Sequence, residues 1–344
     1  MKLEVNIRKK LRDFTLNVNF SACNEVFSLL GASGCGKSMT LKCIAGIEMP
    51  DDGKIVLNDQ TLFDSENRIN LPPQMRRVGY LFQNYALFPN MTVAENILFA
   101  AVGSEYEKQQ RKKEVLSRFE LDGLENSYPN QLSGGQQQRV AFARVLISHA
   151  EILLLDEPFS ALDNFLKWRL ELQLDDIFNS YDNTAIFVSH DRDEVFRLSD
   201  KIAVMDRGKI VETNSKYELF KNPKTVSAAI LTGCKNISTA KKIDDKTILA
   251  EDWHLILTMQ KKIPDNVKFV GIHSNALEIV SVETENTFAF EVTKEIEDTS
   301  FYIIMVRSGN SDIRLELPKK TWKSFKTNKI LVRFPCEKIV LMQG

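Results

Sequence analysis

Five short apolar runs, at positions 26–30, 78–82, 152–155, 185–188 and 202–205, stand out against the polar sequence around them. Each is bounded by turn or polar residues, as strands buried on both faces are. Helical stretches separate the runs, so residues 1–228 predict an α/β domain built on a mixed, largely parallel sheet. Between Gln83 and Val145 strand candidates give way to charged helical sequence, clearest over 105–119. This predicts a helical subdomain over about 84–145. Beyond residue 228 the pattern changes again, to β-prone pieces at 267–272, 276–282, 288–292, 301–306 and 330–334. A second, β-rich domain, a small β-barrel, is expected over 229–344.

A chain of 344 residues exceeds the roughly 100–200 residues of one ordinary domain, in keeping with that division. Hydrophobic residues at 43% and charged ones at 26% exclude a largely disordered chain, and a net charge of −1 gives no general reason to expect nucleic acid as a partner. Cys23, Cys35, Cys43, Cys234 and Cys336 form no C-x-x-C pair, which fits reduced thiols better than zinc or disulfides. No run reaches the roughly 20 apolar residues that cross a bilayer, so any membrane role needs other chains to span it.

Chemistry concentrates where the apolar runs end, as ligand sites of open α/β sheets do. Gly31-Ala32-Ser33-Gly34-Cys35-Gly36-Lys37-Ser38 fits G-x-x-x-x-G-K-[ST], follows a strand candidate and precedes a helical stretch. The glycines let the backbone wrap phosphates, Lys37 neutralises β and γ oxygens, and Ser38 offers an oxygen to Mg²⁺. Asp156 and Glu157 follow the run at 152–155, where a buried carboxylate calls for a nearby cation. Asp156 suits the Mg²⁺ shell, and Glu157 suits the base that orients or deprotonates an attacking water. ATP and Mg²⁺ are the expected ligands.

That pair of motifs is common to many nucleotidases, and Leu132-Ser133-Gly134-Gly135-Gln136 chooses among them. Ser133 is placed to cap a helix whose glycine-rich start admits an anion. Together with Gln83 after the second run, Ser160-Ala161-Leu162-Asp163 after Glu157 and His190 after the fourth run, this segment resembles the signature of the ATP-binding-cassette (ABC) family over residues 1–228. The resemblance implies a P-loop cassette fold and an ATPase. It implies that Gln83 contacts Mg²⁺ or the attacking water and that His190 contacts the γ-phosphate. It also implies that Asp163 links two cassettes, and that Ser133, Gly134, Gly135 and Gln136 close on ATP held by a second copy in a homodimer. The family usually stacks adenine on an aromatic residue ahead of the P-loop. Phe14 is the candidate, although the alternation of 14–20 equally suits a core phenylalanine. Met39 stands where many relatives have threonine, leaving its backbone N–H to serve the α-phosphate.

A cassette without fused membrane helices but with a β appendage resembles bacterial importer subunits, of which the appendage is an OB-like or TOBE-like regulatory domain. Gln83-Asn84-Tyr85-Ala86-Leu87-Phe88-Pro89 resembles the importer stretch that grips a helix of an integral membrane permease. The chain is therefore expected at the cytoplasmic face of the membrane, served indirectly by an extracytoplasmic solute-binding protein. The lead-in around Phe14 and the stretches at 231–236 and 270–273 look like molybdate, tungstate or sulfate importers, with molybdate the leading expectation. Ferric iron, polyamines and sugars remain alternatives. A chromosome-maintenance ATPase would need a longer insert than 83–132, and a translation-associated cassette a second cassette in the chain.

Overall fold

The computed structural model describes residues 2–160, 164–180, 184–309, 311–325 and 327–343, and the elements named below are those of the described residues. They divide into two compact units, Met1–Lys216 and Tyr217–Gly344. The boundary expected at 228 falls inside the helix Val226–Thr232 of the second unit.

The first unit is built on an 11-stranded mixed sheet. Its parallel portion runs Lys201–Asp206, Val26–Gly31, Ala185–Ser189, Ile152–Asp156, Val78–Leu81, in the places the apolar runs predict. Val26–Gly31, Ile152–Asp156 and Ala185–Ser189 are buried at every residue, which is why their sequences are continuous hydrophobic runs. The strand direction brings the motif-bearing loops after these strands to one edge of the sheet.

An antiparallel portion completes the sheet. Lys2–Lys10 pairs with Thr15–Cys23 and with Asp52–Leu57, which pairs in turn with Gln60–Asp64. Buried and exposed residues alternate along Thr15–Cys23, so one face joins a core containing Leu3, Leu16, Val18, Ile55, Leu154 and Ile186. Apolar runs do not reveal such strands, because only every second residue is apolar.

The predicted insert contains the helices Val93–Leu98, Glu105–Arg118 and Gly134–Ile147. Each starts with a reciprocal capping box, Thr92 with Glu95, Ser104 with Glu107 and Ser133 with Gln136, so each start is written locally in the sequence. Phe119 and Phe142 stack at 6.1 Å inside the insert.

The second unit has two five-stranded antiparallel sheets. One contains Asn236–Lys242, Thr247–Ala250, Leu255–Thr258, Phe269–Ile272 and Val340–Met342. The other contains Glu278–Val280, Thr287–Glu297, Phe301–Ser308, Ser311–Pro318 and Lys329–Arg333. Trp253, Trp322, Phe334, Ile304 and Leu315 fill their common core, a half-barrel arrangement consistent with the small β-barrel expected of the C-terminal region. No helix among the described residues is long and apolar enough to cross a membrane.

Candidate functional site

Strand Val26–Gly31 ends where the chain turns tightly into the helix Lys37–Ala45. Gly36 caps that helix with φ 109°, and a Cβ there would stand 2.9 Å from Leu16 Cδ1. A glycine is thus required by both backbone and packing. Gly34 has φ +81° but open space around its missing Cβ, so there the backbone alone favours glycine. Thr40 N–H donates to Gly36 O at 2.9 Å and begins the helical ladder, and Gly36, as the N-cap, offers no side chain to the helix start. Lys37, almost fully buried, donates from Nζ to Gly31 O at 2.8 Å and Ala32 O at 3.0 Å. Ala32 and Ser33 are exposed, while Cys35 turns into the core, where burial raises its thiol pKa.

The far end of the same helix is fixed by Arg76, which is fully buried. Its guanidinium donates to Cys43 O, Ile44 O, Leu71 O and Asn70 Oδ1, each at 2.8 or 2.9 Å. It satisfies carbonyls that a helix C-terminus leaves open. The P-loop helix is thus held at its base while its N-terminus faces the site.

Asp156 is buried at the end of its strand. Ser38 Oγ donates to its Oδ1 at 2.7 Å, and Tyr80 O–H donates to its Oδ2 at 2.9 Å. The first contact joins two sequence-predicted residues separated by 118 positions. Burial, followed by the charge of Asp156, pushes the Tyr80 phenol well above its ordinary value, so the phenol remains a donor. Glu157 takes the left-handed φ of 46°, which a non-glycine residue adopts at a cost. Its N–H donates to Val188 O at 3.0 Å, and its own carbonyl accepts from Ser160 N–H at 3.2 Å. Gln83 Nε2 donates to Glu157 Oε2 at 3.3 Å, and His190 Nδ1 lies 3.4 Å from Glu157 Oε1. Three strand ends therefore bring Gln83, Glu157 and His190 together. Beside them is a cleft lined by Ser160, Lys167, Ser189 and Asp191.

The hydroxyl, carboxylate and amide oxygens of Ser38, Asp156 and Gln83 are the hard donors that a magnesium ion accepts, so this residue set fits one. Among the described residues no group of three or more His, Cys, Asp or Glu could by itself hold a metal ion. Any ion here would depend on water or phosphate oxygens to complete its shell.

The signature segment has a different setting. Ser133 Oγ accepts from Gln136 N–H at 3.3 Å, and Gln136 Oε1 accepts from Ser133 N–H at 2.8 Å. Ser133 and Gly134 are exposed, Gly135 and Gln136 half-buried, and a Cβ at Gly134 would meet nothing within 4 Å. Phe14 is half-buried against the P-loop, with its Cε2 3.5 Å from where a Gly36 Cβ would stand. Met39 packs partly against the main core. Asp163 lies outside the described residues. Downstream of Gln83, Tyr85 and Ala86 have φ of 61° and 44° and their carbonyls accept from Arg144 at 2.8 Å. Arg144 also lies over the Phe88 ring, which packs 4.7 Å from the largely exposed Phe99.

The sequence reading missed Tyr80 and Lys167. Tyr80 was legible only as one residue of a strand candidate. Its signal was a polar-tipped aromatic inside an otherwise apolar run, ending close to an acidic strand.

A family model for ABC transporters matches residues 13–160. The sulfate/thiosulfate import ATP-binding protein CysA of Mannheimia succiniciproducens is 35% identical over 331 residues, covering 92% of this chain and 90% of that protein. The chain belongs to the ABC transporter family. The chain is also 42% identical, over 245 residues and 70% of its length, to the spermidine/putrescine import ATP-binding protein PotA of Thermotoga maritima, of which it spans 65%. A solved dimeric ATP-binding cassette, MJ0796, in a post-hydrolysis state bound to ADP and Pi, superposes with a TM-score of 0.54 at 29% identity. That match covers 63% of this chain and 99% of the solved one. The α/β P-loop fold and the importer-type resemblance inferred from the motifs both hold. Molybdate is not among the substrates in these names.

Proposed function

We propose that the chain is the ATP-hydrolysing subunit of an ABC importer, acting at the cytoplasmic face of a membrane beside integral permease subunits. The observation that carries this is the convergence of Ser38 and Tyr80 on Asp156, and of Gln83 and His190 on Glu157. Phosphate chemistry at a P-loop requires just such a cation cradle next to a positioned base.

Lys37 exchanges its contacts with Gly31 O and Ala32 O for the β and γ oxygens of ATP, and the backbone N–H groups at the start of Lys37–Ala45 face the remaining charge. Gly31, Ala32, Ser33, Gly34, Cys35, Gly36 and Met39 contribute backbone to the same cradle. Magnesium, when bound, neutralises charge on the β and γ oxygens. Ser38, Asp156 and Gln83 are the residues that hold it. Glu157 takes the proton of the attacking water, and its contact with Gln83 and closeness to His190 orient the carboxylate toward that water. His190 steadies the γ-phosphate, and Phe14 stacks on the adenine.

The Ser133–Gln136 segment, exposed at Ser133 and Gly134, supplies donors to ATP held by a second copy, so the working unit is a homodimer. The first unit, Met1–Lys216, forms the cassette, with its helical subdomain at 84–145. Its Gln83–Pro89 stretch and the aromatic pair Phe88 and Phe99 receive the permease. The second unit, Tyr217–Gly344, acts as the regulatory part, and an extracytoplasmic binding protein delivers the solute to the permease.

For the solute we favour an oxyanion of the sulfate type. The sulfate/thiosulfate relative matches across 92% of the chain and therefore through both units, whereas the polyamine relative matches 70%. The polyamine reading rests on its higher identity, 42% against 35%. Uptake into proteoliposomes carrying the chain with its membrane subunits and binding protein separates the two. ATP-dependent accumulation of radiolabelled sulfate is the outcome that supports our choice. Accumulation of spermidine without sulfate would replace it, and failure to copurify with any permease would remove the importer assignment.

A further inference from the structure

Lys167 lies on the helix Asn164–Ser180, outside every sequence motif described above. Its ammonium reaches Asp191 Oδ2 at 2.6 Å and Glu194 Oε1 at 2.5 Å. Both carboxylates belong to the segment that carries His190. Asp191 caps the helix Arg192–Leu198, its Oδ1 accepting from the N–H groups of Asp193 at 2.8 Å and Glu194 at 3.3 Å. The Asp191 N–H donates to Ser189 Oγ at 2.9 Å, and Ser189 Oγ donates to Glu194 Oε2 at 2.5 Å. His190 thus sits between two residues tied into one network whose cation comes from a different helix.

Charge makes Lys167 the member that matters most. The side chains of Lys167 and Glu194 are only 19% and 7% exposed. Two carboxylates this close, one of them buried, repel each other and lose hydration unless a cation stands between them. Burial pulls the Lys167 ammonium toward deprotonation, but its bonds to Asp191 and Glu194 prevail and raise its pKa. Burial likewise raises the Asp191 carboxyl, yet the bonds from Lys167 and from backbone N–H groups prevail and lower it. Lys167 and Asp191 are therefore held in their charged forms, whereas at Glu194 burial outweighs the bonds from Lys167 and Ser189 and raises the carboxyl.

Resting on the hydrolytic role proposed above, we infer that Lys167 is a positioning residue for His190: by clamping Asp191 and Glu194 it fixes the Ser189–Glu194 turn and holds the imidazole beside Glu157. It touches no reacting atom itself. Removing the ammonium frees the turn, so His190 loses its place while the P-loop cradle, built from other elements, keeps its shape.

The test uses the full chain with Lys167→Met, Lys167→Arg, His190→Ala and the Lys167→Met/His190→Ala pair. In nucleotide-free protein, the His190 imidazole resonances, assigned by their loss in His190→Ala, shift in Lys167→Met and return toward wild type in Lys167→Arg. With Mg-ATP, Lys167→Met lowers kcat by roughly 10-fold while KM changes little, and Lys167→Arg restores most of the rate. In the His190→Ala background the same substitution has almost no further effect on kcat, because both changes remove one function. Unmoved His190 resonances, or the full loss of rate repeated in the His190→Ala background, would overturn the inference. A wild-type protein with no ATPase activity would instead overturn the hydrolytic role, leaving the resonance measurement to judge Lys167 by itself.

Discussion

Tyr80→Phe isolates one bond on the buried Asp156. The substitution removes only a hydroxyl, and the ring keeps its packing 4.4 Å from Phe82, so no cavity opens. What is lost is the donor 2.9 Å from Asp156 Oδ2, leaving Ser38 on the other oxygen. A hydrogen bond to a charged acceptor contributes about 1.5–3 kcal/mol, and a carboxylate only 4% exposed has little water to replace it. For a unit of this size a loss of about 2 kcal/mol lowers the melting temperature by ~4–8 °C. The assay is thermal and urea unfolding with chelator present, on wild type, Tyr80→Phe, Ser38→Ala and the double variant. The two single changes share one carboxylate, so they should prove non-additive. Because the folded phenol has a raised pKa, its contribution is fully present below the unfolded value and is lost only as pH rises through the folded one. The difference from wild type is therefore constant from about pH 6 to about pH 9. Stability within about 0.5 kcal/mol of wild type would refute the claim that Tyr80 holds Asp156.

Other consequences follow from burial. Arg76→Ala uncovers the Ile44 and Leu71 carbonyls and takes one of two donors from Cys43 O at the base of the P-loop helix; it should cost at least about 3 kcal/mol by urea unfolding and weaken ATP binding in equilibrium titration, although Arg76 holds the end of the helix opposite the P-loop. Burial pushes the Cys43 thiol up to about 12 and the Cys234 thiol up to about 11, from an ordinary 9.0. At a labelling pH of about 8 the Cys43 thiolate is then about 1000-fold scarcer than an ordinary one. Iodoacetamide followed by peptide mass spectrometry should therefore find the exposed Cys23 modified first, and Cys43 and Cys234 only after denaturation.

What the sequence made legible follows the physics of each element. Strands buried on both faces, such as Ile152–Asp156, announce themselves as apolar runs, and capping boxes mark helix starts such as Ser133. The P-loop is legible because its glycines answer a local demand, seen at Gly36 with its left-handed φ and its crowded neighbour Leu16. Thr15–Cys23 and the other strands of the antiparallel arm were harder to read, since a half-buried strand shows only alternation. Contacts between distant segments were not legible. Nothing local says that Tyr80 meets Asp156 76 positions later, that Lys167 meets Glu194, or that Arg76 reaches back to Cys43. These partners are chosen by the order of strands in the sheet, and that order is a property of the whole fold.

The most direct test of the hydrolytic site is phosphate release from Mg-ATP by the purified chain and its Glu157→Gln variant, with bound nucleotide measured in the same samples. Glutamine keeps the shape of the side chain but cannot accept the proton of the attacking water. Wild type should turn over steadily, while the variant binds ATP with similar affinity yet turns over at least ~100-fold more slowly. Equal turnover by the two proteins would contradict Glu157 as the base.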